Sequence, residues 1–193
     1  TNKLKYFIGN WKMFGDIKSL KSINSVIKFM RLNRKKKFKL IYCPPYTLLN
    51  AFNKKIKKTN IQLGAQNCHH ENSYGAYTGS ISSKMIRNLG AKFVIVGHSE
   101  NRQSGESDIL INNKIRSALK NNLSVIFCVG ETYKEKRKKL TKKILRSQIL
   151  KGLRDIKPNS KIILAYEPVW SIGTGILPKN EELNKNIIFI KSI

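Results

Sequence analysis

In 193 residues, 38 Lys or Arg face 11 Asp or Glu, which gives a formal net charge of +27 on a chain that is 40% hydrophobic. The length suits one domain, residues 1–193, with enough chain for a sizeable core, while no apolar stretch approaches the ~18 residues of a membrane span and no N-terminal run has signal-peptide form. Cys43, Cys68 and Cys128 have neither metal-like nor redox-like spacing, so the sequence predicts a reducing, cytoplasmic setting with no disulfide framework. A chain that starts at Thr1 without a methionine suggests a trimmed or incomplete terminus.

Taken in chain order, short apolar runs alternate with helical patterns. Tyr6-Phe7-Ile8-Gly9 is the first predicted strand; Asp16 then reads as the N-cap of a helix on which Ile17, Leu20, Ile23, Ile27 and Met30 recur at helical spacing. The basic run Arg34-Lys35-Lys36-Lys37 precedes the second strand, Leu40-Ile41-Tyr42-Cys43, and Lys54-Lys55-Ile56-Lys57-Lys58 precedes the third, Ile61-Gln62-Leu63-Gly64-Ala65. Phe93-Val94-Ile95-Val96 is the fourth, and Ile109, Ile115 and Leu119 mark the helix after it. Val125-Ile126-Phe127-Cys128-Val129 is the fifth, followed by a strongly basic helix whose Leu140, Ile144, Leu145, Ile149 and Leu153 share one face. Ile162-Ile163-Leu164-Ala165 is the sixth, read as fully buried and ended by Pro168, which cannot donate to a ladder. None of these strands alternates polar with apolar, as expected of strands covered on both faces.

Strand then helix, several times over, predicts an α/β fold with a parallel sheet, either doubly wound or a barrel. Polar residues at the strand ends choose between them. Asn10 and Lys12 follow the first strand, Gln66 and Asn67 the third, His98-Ser99-Glu100 the fourth, Gly130-Glu131 the fifth and Glu167 the sixth. Contributions from many strand ends to one rim indicate a barrel, whereas a doubly wound sheet would gather its ligand contacts at one switch point after a glycine-rich turn. The basic runs, including Lys134 to Lys143, fall in loops and on helix faces rather than in one stripe interleaved with aromatics. They read as compositional bias rather than a nucleic-acid surface, although such a field would speed capture of a dianionic substrate. Cys68-His69-His70-Glu71 reads as a polar loop, because four adjacent residues rarely converge on one metal ion.

Glu167, His98 and Lys12 each read alone as structural or surface groups; a shared rim changes that. His98, at the opening of a helix, would be held neutral and could donate to a developing oxyanion. A carboxylate base, a neutral donor and a fixed cation together describe proton abstraction next to a carbonyl. Gly173 and Gly175, just beyond Glu167, would let backbone N–H groups approach an anion.

Six blocks carry a resemblance to a known family. Gly9-Asn10-Trp11-Lys12-Met13, Gly64-Ala65-Gln66-Asn67, Gly75-Ala76-Tyr77-Thr78-Gly79, Val96-Gly97-His98-Ser99-Glu100, Cys128-Val129-Gly130-Glu131 and Tyr166-Glu167-Pro168-Val169-Trp170 resemble the triosephosphate isomerases in order and spacing. The resemblance implies a TIM (β/α)8 barrel of which about six β/α units are present, and interconversion of glyceraldehyde 3-phosphate and dihydroxyacetone phosphate without cofactor or metal. It implies Glu167 as the base, His98 polarising the carbonyl, Lys12 holding negative charge, Asn10 fixing the ligand, and Pro168 to Pro178 as a lid in which Gly173 offers a backbone N–H. Glu100 would support the site or belong to a structural ion pair, as would Arg102. Tyr74 to Ser80 would insert into a second subunit, bringing Thr78 near the partner's site in a homodimer. Ser80, Asn101 and Ser171 stand where the family usually has an acid, Arg and Ala. The last segment, Asn180 to Ile193, stops inside the expected sixth helix, which suggests an incomplete sequence. Two alternatives follow: a shortened, catalytically impaired homologue that binds or interacts, and a basic nucleic-acid binder.

Overall fold

The computed structural model describes residues 4–33, 37–158 and 161–193. Thr1 and the Arg34-Lys35-Lys36 part of the first basic run lie outside the described residues. Six strands form one sheet: β1 Lys5–Asn10, β2 Phe38–Cys43, β3 Gln62–Ala65, β4 Phe93–Val96, β5 Ser124–Val129 and β6 Ile162–Tyr166. All neighbouring pairs are parallel, and the strands lie side by side in chain order with no reversal. That order winds in one direction, as a barrel does, and the sheet curls into a half-barrel. The crossovers carry α1 Ile23–Leu32, α2 Leu49–Ile56, α3 Ser83–Asn88, α4 Ser99–Gln103, α5 Asp108–Lys120, α6 Tyr133–Arg137 and α7 Thr141–Gly152, and α8 Asn180–Lys191 follows β6.

The absence of alternation in the strands has a direct cause: both faces of the sheet are apolar. Ile41, Cys43, Phe93, Ile95, Ile126 and Cys128 turn to the concave side with Ile8, Ile163 and Ala165. Leu63, Ala65, Val94, Val96, Val125, Phe127 and Val129 turn outward onto Phe52, Ile86, Ile111, Ile115, Leu145 and Ile149 of the helices. Each such side chain contributes about 1.5–3 kcal/mol when fully buried, so the centre of the sheet is the most stable part of the fold.

Four expectations need correction. The sixth strand is half-buried along its whole length, because among the described residues β6 pairs with β5 alone. β1 is likewise an edge, with Phe7 54% exposed. The first helix starts at Ile23 after a 3-10 turn over Lys18–Ser22, and Asp16 serves that turn instead, accepting from Ser19 N at 2.9 Å. Ile17 and Ile109 are exposed and play no part in the core faces of their segments. Hydrophobic spacing locates a helix but does not say which of its apolar residues faces the sheet.

Candidate active site

Five of the predicted residues meet at the carboxyl ends of β1, β4 and β6. His98 is the N-cap of α4, with φ −55° and ψ 144°, and its Nδ1 accepts from Glu100 N at 3.3 Å. An Nδ1 that accepts carries no proton, so the ring proton sits on Nε2. Nε2 points at Glu167 Oε1, 3.1 Å away, and Ser99 N donates to Glu167 Oε2 at 3.2 Å. His98 is buried, while the Glu167 side chain retains 20% exposure, enough to present its carboxylate to a ligand.

Lys12 reaches the same rim from β1. Its Nζ lies 2.7 Å from Glu100 Oε1, and Glu100 Oε2 lies 3.5 Å from His98 Nδ1. The hydrogen bond from Lys12 is the main reason that the Glu100 carboxyl titrates below the ordinary 4.5. Lys12 takes a left-handed backbone, φ 51°, a conformation that costs a non-glycine residue about 1–2 kcal/mol. Asn10 Oδ1 accepts from Lys12 N at 2.9 Å, and Gln66 Nε2 donates to Lys12 O at 2.7 Å and to Cys43 O at 2.9 Å. Those bonds hold the strained turn and aim the ammonium.

The site rests on further side chains, and the ion pair expected of Arg102 is among their contacts. Arg102 donates to Gly97 O, Asp108 and Cys128 O, at 2.9, 2.7 and 3.4 Å, tying the ends of β4 and β5 together. Glu131, fully buried, accepts from Trp170 Nε1 at 2.8 Å and from Tyr166 Oη at 3.1 and 3.2 Å. Tyr166 Oη in turn accepts from Asn186 Nδ2 at 2.8 Å. This network anchors the chain on both sides of Glu167. Cys128 lies beneath: burial first, and then the Glu167 charge, push its thiol well above the ordinary 9.0.

Thr78 and Gly173 are not brought to the rim. Thr78 sits in the exposed Tyr74–Ser80 loop, and a Cβ built on Gly173, φ 70°, would meet nothing within 4 Å. Residues 173–177 are exposed. Within the Cys68–Glu71 loop, Cys68 is buried against Lys114 O while His69 stacks on His70 at 4.1 Å and on Tyr77 at 4.6 Å.

The family model for triosephosphate isomerase matches residues 5–193. The chain belongs to the triosephosphate isomerase family. It is 40% identical over 188 residues to the triosephosphate isomerase of Clostridium botulinum (strain ATCC 19397 / Type A), which covers 96% of this chain and 75% of that protein. It is 41% identical over 194 residues to that of Dictyoglomus thermophilum, covering 98% and 76%. The crystal structure of triosephosphate isomerase from Bartonella henselae superposes with a TM-score of 0.87 at 34% identity, covering 97% of this chain and 74% of that one. The chain thus spans about three quarters of the length of these family members.

Proposed function

We propose that this chain interconverts D-glyceraldehyde 3-phosphate and dihydroxyacetone phosphate, with Glu167 as the base that takes the proton from the carbon next to the carbonyl. The observation that carries the reading is the 3.1 Å approach of Glu167 Oε1 to the Nε2 of a His98 whose other nitrogen is already an acceptor. A neutral imidazole donating from Nε2 can stabilise an enediolate oxygen without surrendering its own proton at the start. Glu167 is engaged by His98 and Ser99, so substrate binding must release it toward the carbon. Lys12 supplies positive charge on the same rim, Asn10 fixes the ligand through the turn it holds, and Glu100 keeps the ammonium in place until substrate arrives. Pro168 to Pro178 closes over the phosphate, with the Gly173 N–H turned onto it, and excludes water from the intermediate. The reaction needs no cofactor in this scheme.

The reading includes a cytoplasmic homodimer. Met13 at 94% exposure and Phe14 after β1, with Tyr74 and Tyr77 in the loop that carries Thr78, are exposed large hydrophobic side chains of the kind an interface with a second copy would cover. Sedimentation or light scattering at micromolar protein should return twice the monomer mass.

Turnover of glyceraldehyde 3-phosphate by this chain, coupled to reduction of the ketone product, tests the activity. The expected result is saturable turnover that falls by about 10²–10⁴-fold in Glu167→Gln, the span of general-base contributions. Glu167→Gln turnover within tenfold of the parent would remove Glu167 from the role, and no turnover by the parent would favour a homologue that only binds.

A further inference from the structure

The opposite end of the sheet carries a second concavity that the isomerase reaction does not use. It measures about 420 Å³ and is lined by Lys39, Gln62, Arg87, Lys92, Phe93, Asn122, Ser124 and Lys161. Side chains on a strand alternate between faces. Lys39 shares the parity of Ile41 on β2, Ser124 that of Ile126 on β5, and Lys161 precedes β6 with the parity of Ile163. Because Ile41, Ile126 and Ile163 line the concave side, the interior continues downward from an apolar layer into a cationic one. Arg87 at the end of α3 and Lys92 ahead of β4 add two more cations at the edge.

Among the described residues, no Asp or Glu lines this space. Gathering four cations in one concavity raises their mutual repulsion and focuses a positive potential on it. Their polar neighbours suit oxygen ligands: Lys161 Nζ donates to Asn122 Oδ1, Arg87 Nη1 donates to Ala91 O at 3.1 Å and leaves the other fork nitrogen for a ligand, and Ser124 and Gln62 supply a hydroxyl and an amide. A water takes a share of ~30 Å³ in the liquid, so the space exceeds what one phosphate fills. We propose that this floor, built from Lys39, Arg87, Lys92 and Lys161 at the amino ends of the strands, binds an oligophosphate anion, the phosphate chain being the part recognised. It is separate from the Glu167 rim: roughly 17 Å of strand lies between Ser124 and Val129.

Calorimetric titration with inorganic tripolyphosphate, at fixed ionic strength, tests the site, with orthophosphate and a nucleoside triphosphate titrated beside it. The expected result is one tripolyphosphate per chain, matched by the nucleotide and well above orthophosphate. Lys39→Gln and Arg87→Gln, two variants with independent risk of misfolding, should each weaken it by about tenfold, the effect of losing one charge-assisted hydrogen bond. The pair Lys143→Gln and Arg146→Gln, exposed on α7 and outside the lining of this space, should change it by less than about twofold, because solvent and salt screen exposed charges that do not touch the anion. Lys12→Gln should leave it intact. Equal weakening by the α7 pair would reduce the effect to the +27 field, loss in Lys12→Gln alone would place the anion at the isomerase rim, and a response to the nucleotide only, or to none, would overturn the proposal.

Discussion

Gly130, packed against Glu167, and Gly173, six residues after it in the chain, face opposite demands. A Cβ on Gly130 would lie 1.7 Å from the Glu167 carbonyl oxygen, whereas one on Gly173 would meet nothing within 4 Å. Gly130 is also gripped through both backbone groups by Gln148, at 2.8 and 3.1 Å. Glu167, the proposed base, therefore emerges from a socket with no spare room and leads, beyond the Trp170 anchor, into the exposed residues 173–177. A base that must be aimed needs the first; a lid that must close needs the second.

The largest effect should come from filling the socket. Gly130→Ala forces β5 and β6 apart at the base itself, since an overlap with backbone at that distance cannot be relieved by a rotamer; overpacking costs typically 1–3 kcal/mol and more against backbone. Isomerase activity should fall by at least ~100-fold, as a misplacement of about 1 Å can cost. Parent-like activity in Gly130→Ala would mean that the socket does not aim Glu167.

Next come two buried thiols, Cys43 in the concave-side cluster and Cys68 in the cluster on the helix side. Burial pushes Cys43 and Cys68 each up to about 12 from the ordinary 9.0. Raised folded values mean that their stabilisation is complete below pH 9 and is lost as pH climbs from 9 to 12, because the unfolded chain releases protons that the folded chain keeps. At pH 10.5 the loss is about 2 kcal/mol per thiol, read as a drop in the urea midpoint that should shrink in Cys43→Ala relative to its own midpoint at pH 8. A flat midpoint across that range in the parent would show that the interior is wetter than the packing implies.

Trp170→Phe removes one of the donors to the buried Glu131 and should cost about 1–3 kcal/mol in urea unfolding, the price of an unmade bond to a buried acceptor. Unchanged stability would mean that the anchor of the lid is not this carboxylate. The smallest effect on stability belongs to Gly173→Ala. Strain at φ 70° can be released into an exposed loop, so the urea midpoint should correspond to a change within ~0.5 kcal/mol, while KM for the triose phosphate rises as closure becomes less favourable. A larger loss of stability than in Trp170→Phe would erase the contrast between socket and lid.

Much of the socket was legible in the sequence, and little of its support was. All six strands were predicted within a residue or two at their ends, because a strand covered on both faces leaves an unbroken apolar run such as Phe93–Val96. Glu167, His98 and Lys12 could be placed on one rim since each follows such a run directly. Glu131 followed one too, yet its partner Trp170 lies 39 residues away and meets it only through the β5–β6 pairing. Gln66 and Arg102 were named beside the site, but both Gln66 bonds and two of those of Arg102 go to backbone carbonyls, which no residue pattern records. The half-buried state of β6 was missed because burial depends on neighbours in the sheet, and β6 has one among the described residues.

The central claim is that Glu167 moves a proton between carbon and its own carboxylate. Dihydroxyacetone phosphate held with the chain in D2O and followed by NMR reads that step directly, as deuterium entering the carbon next to the carbonyl. The account predicts incorporation by the parent and a fall of ~10²-fold or more in Glu167→Gln; incorporation by Glu167→Gln within tenfold of the parent would contradict it.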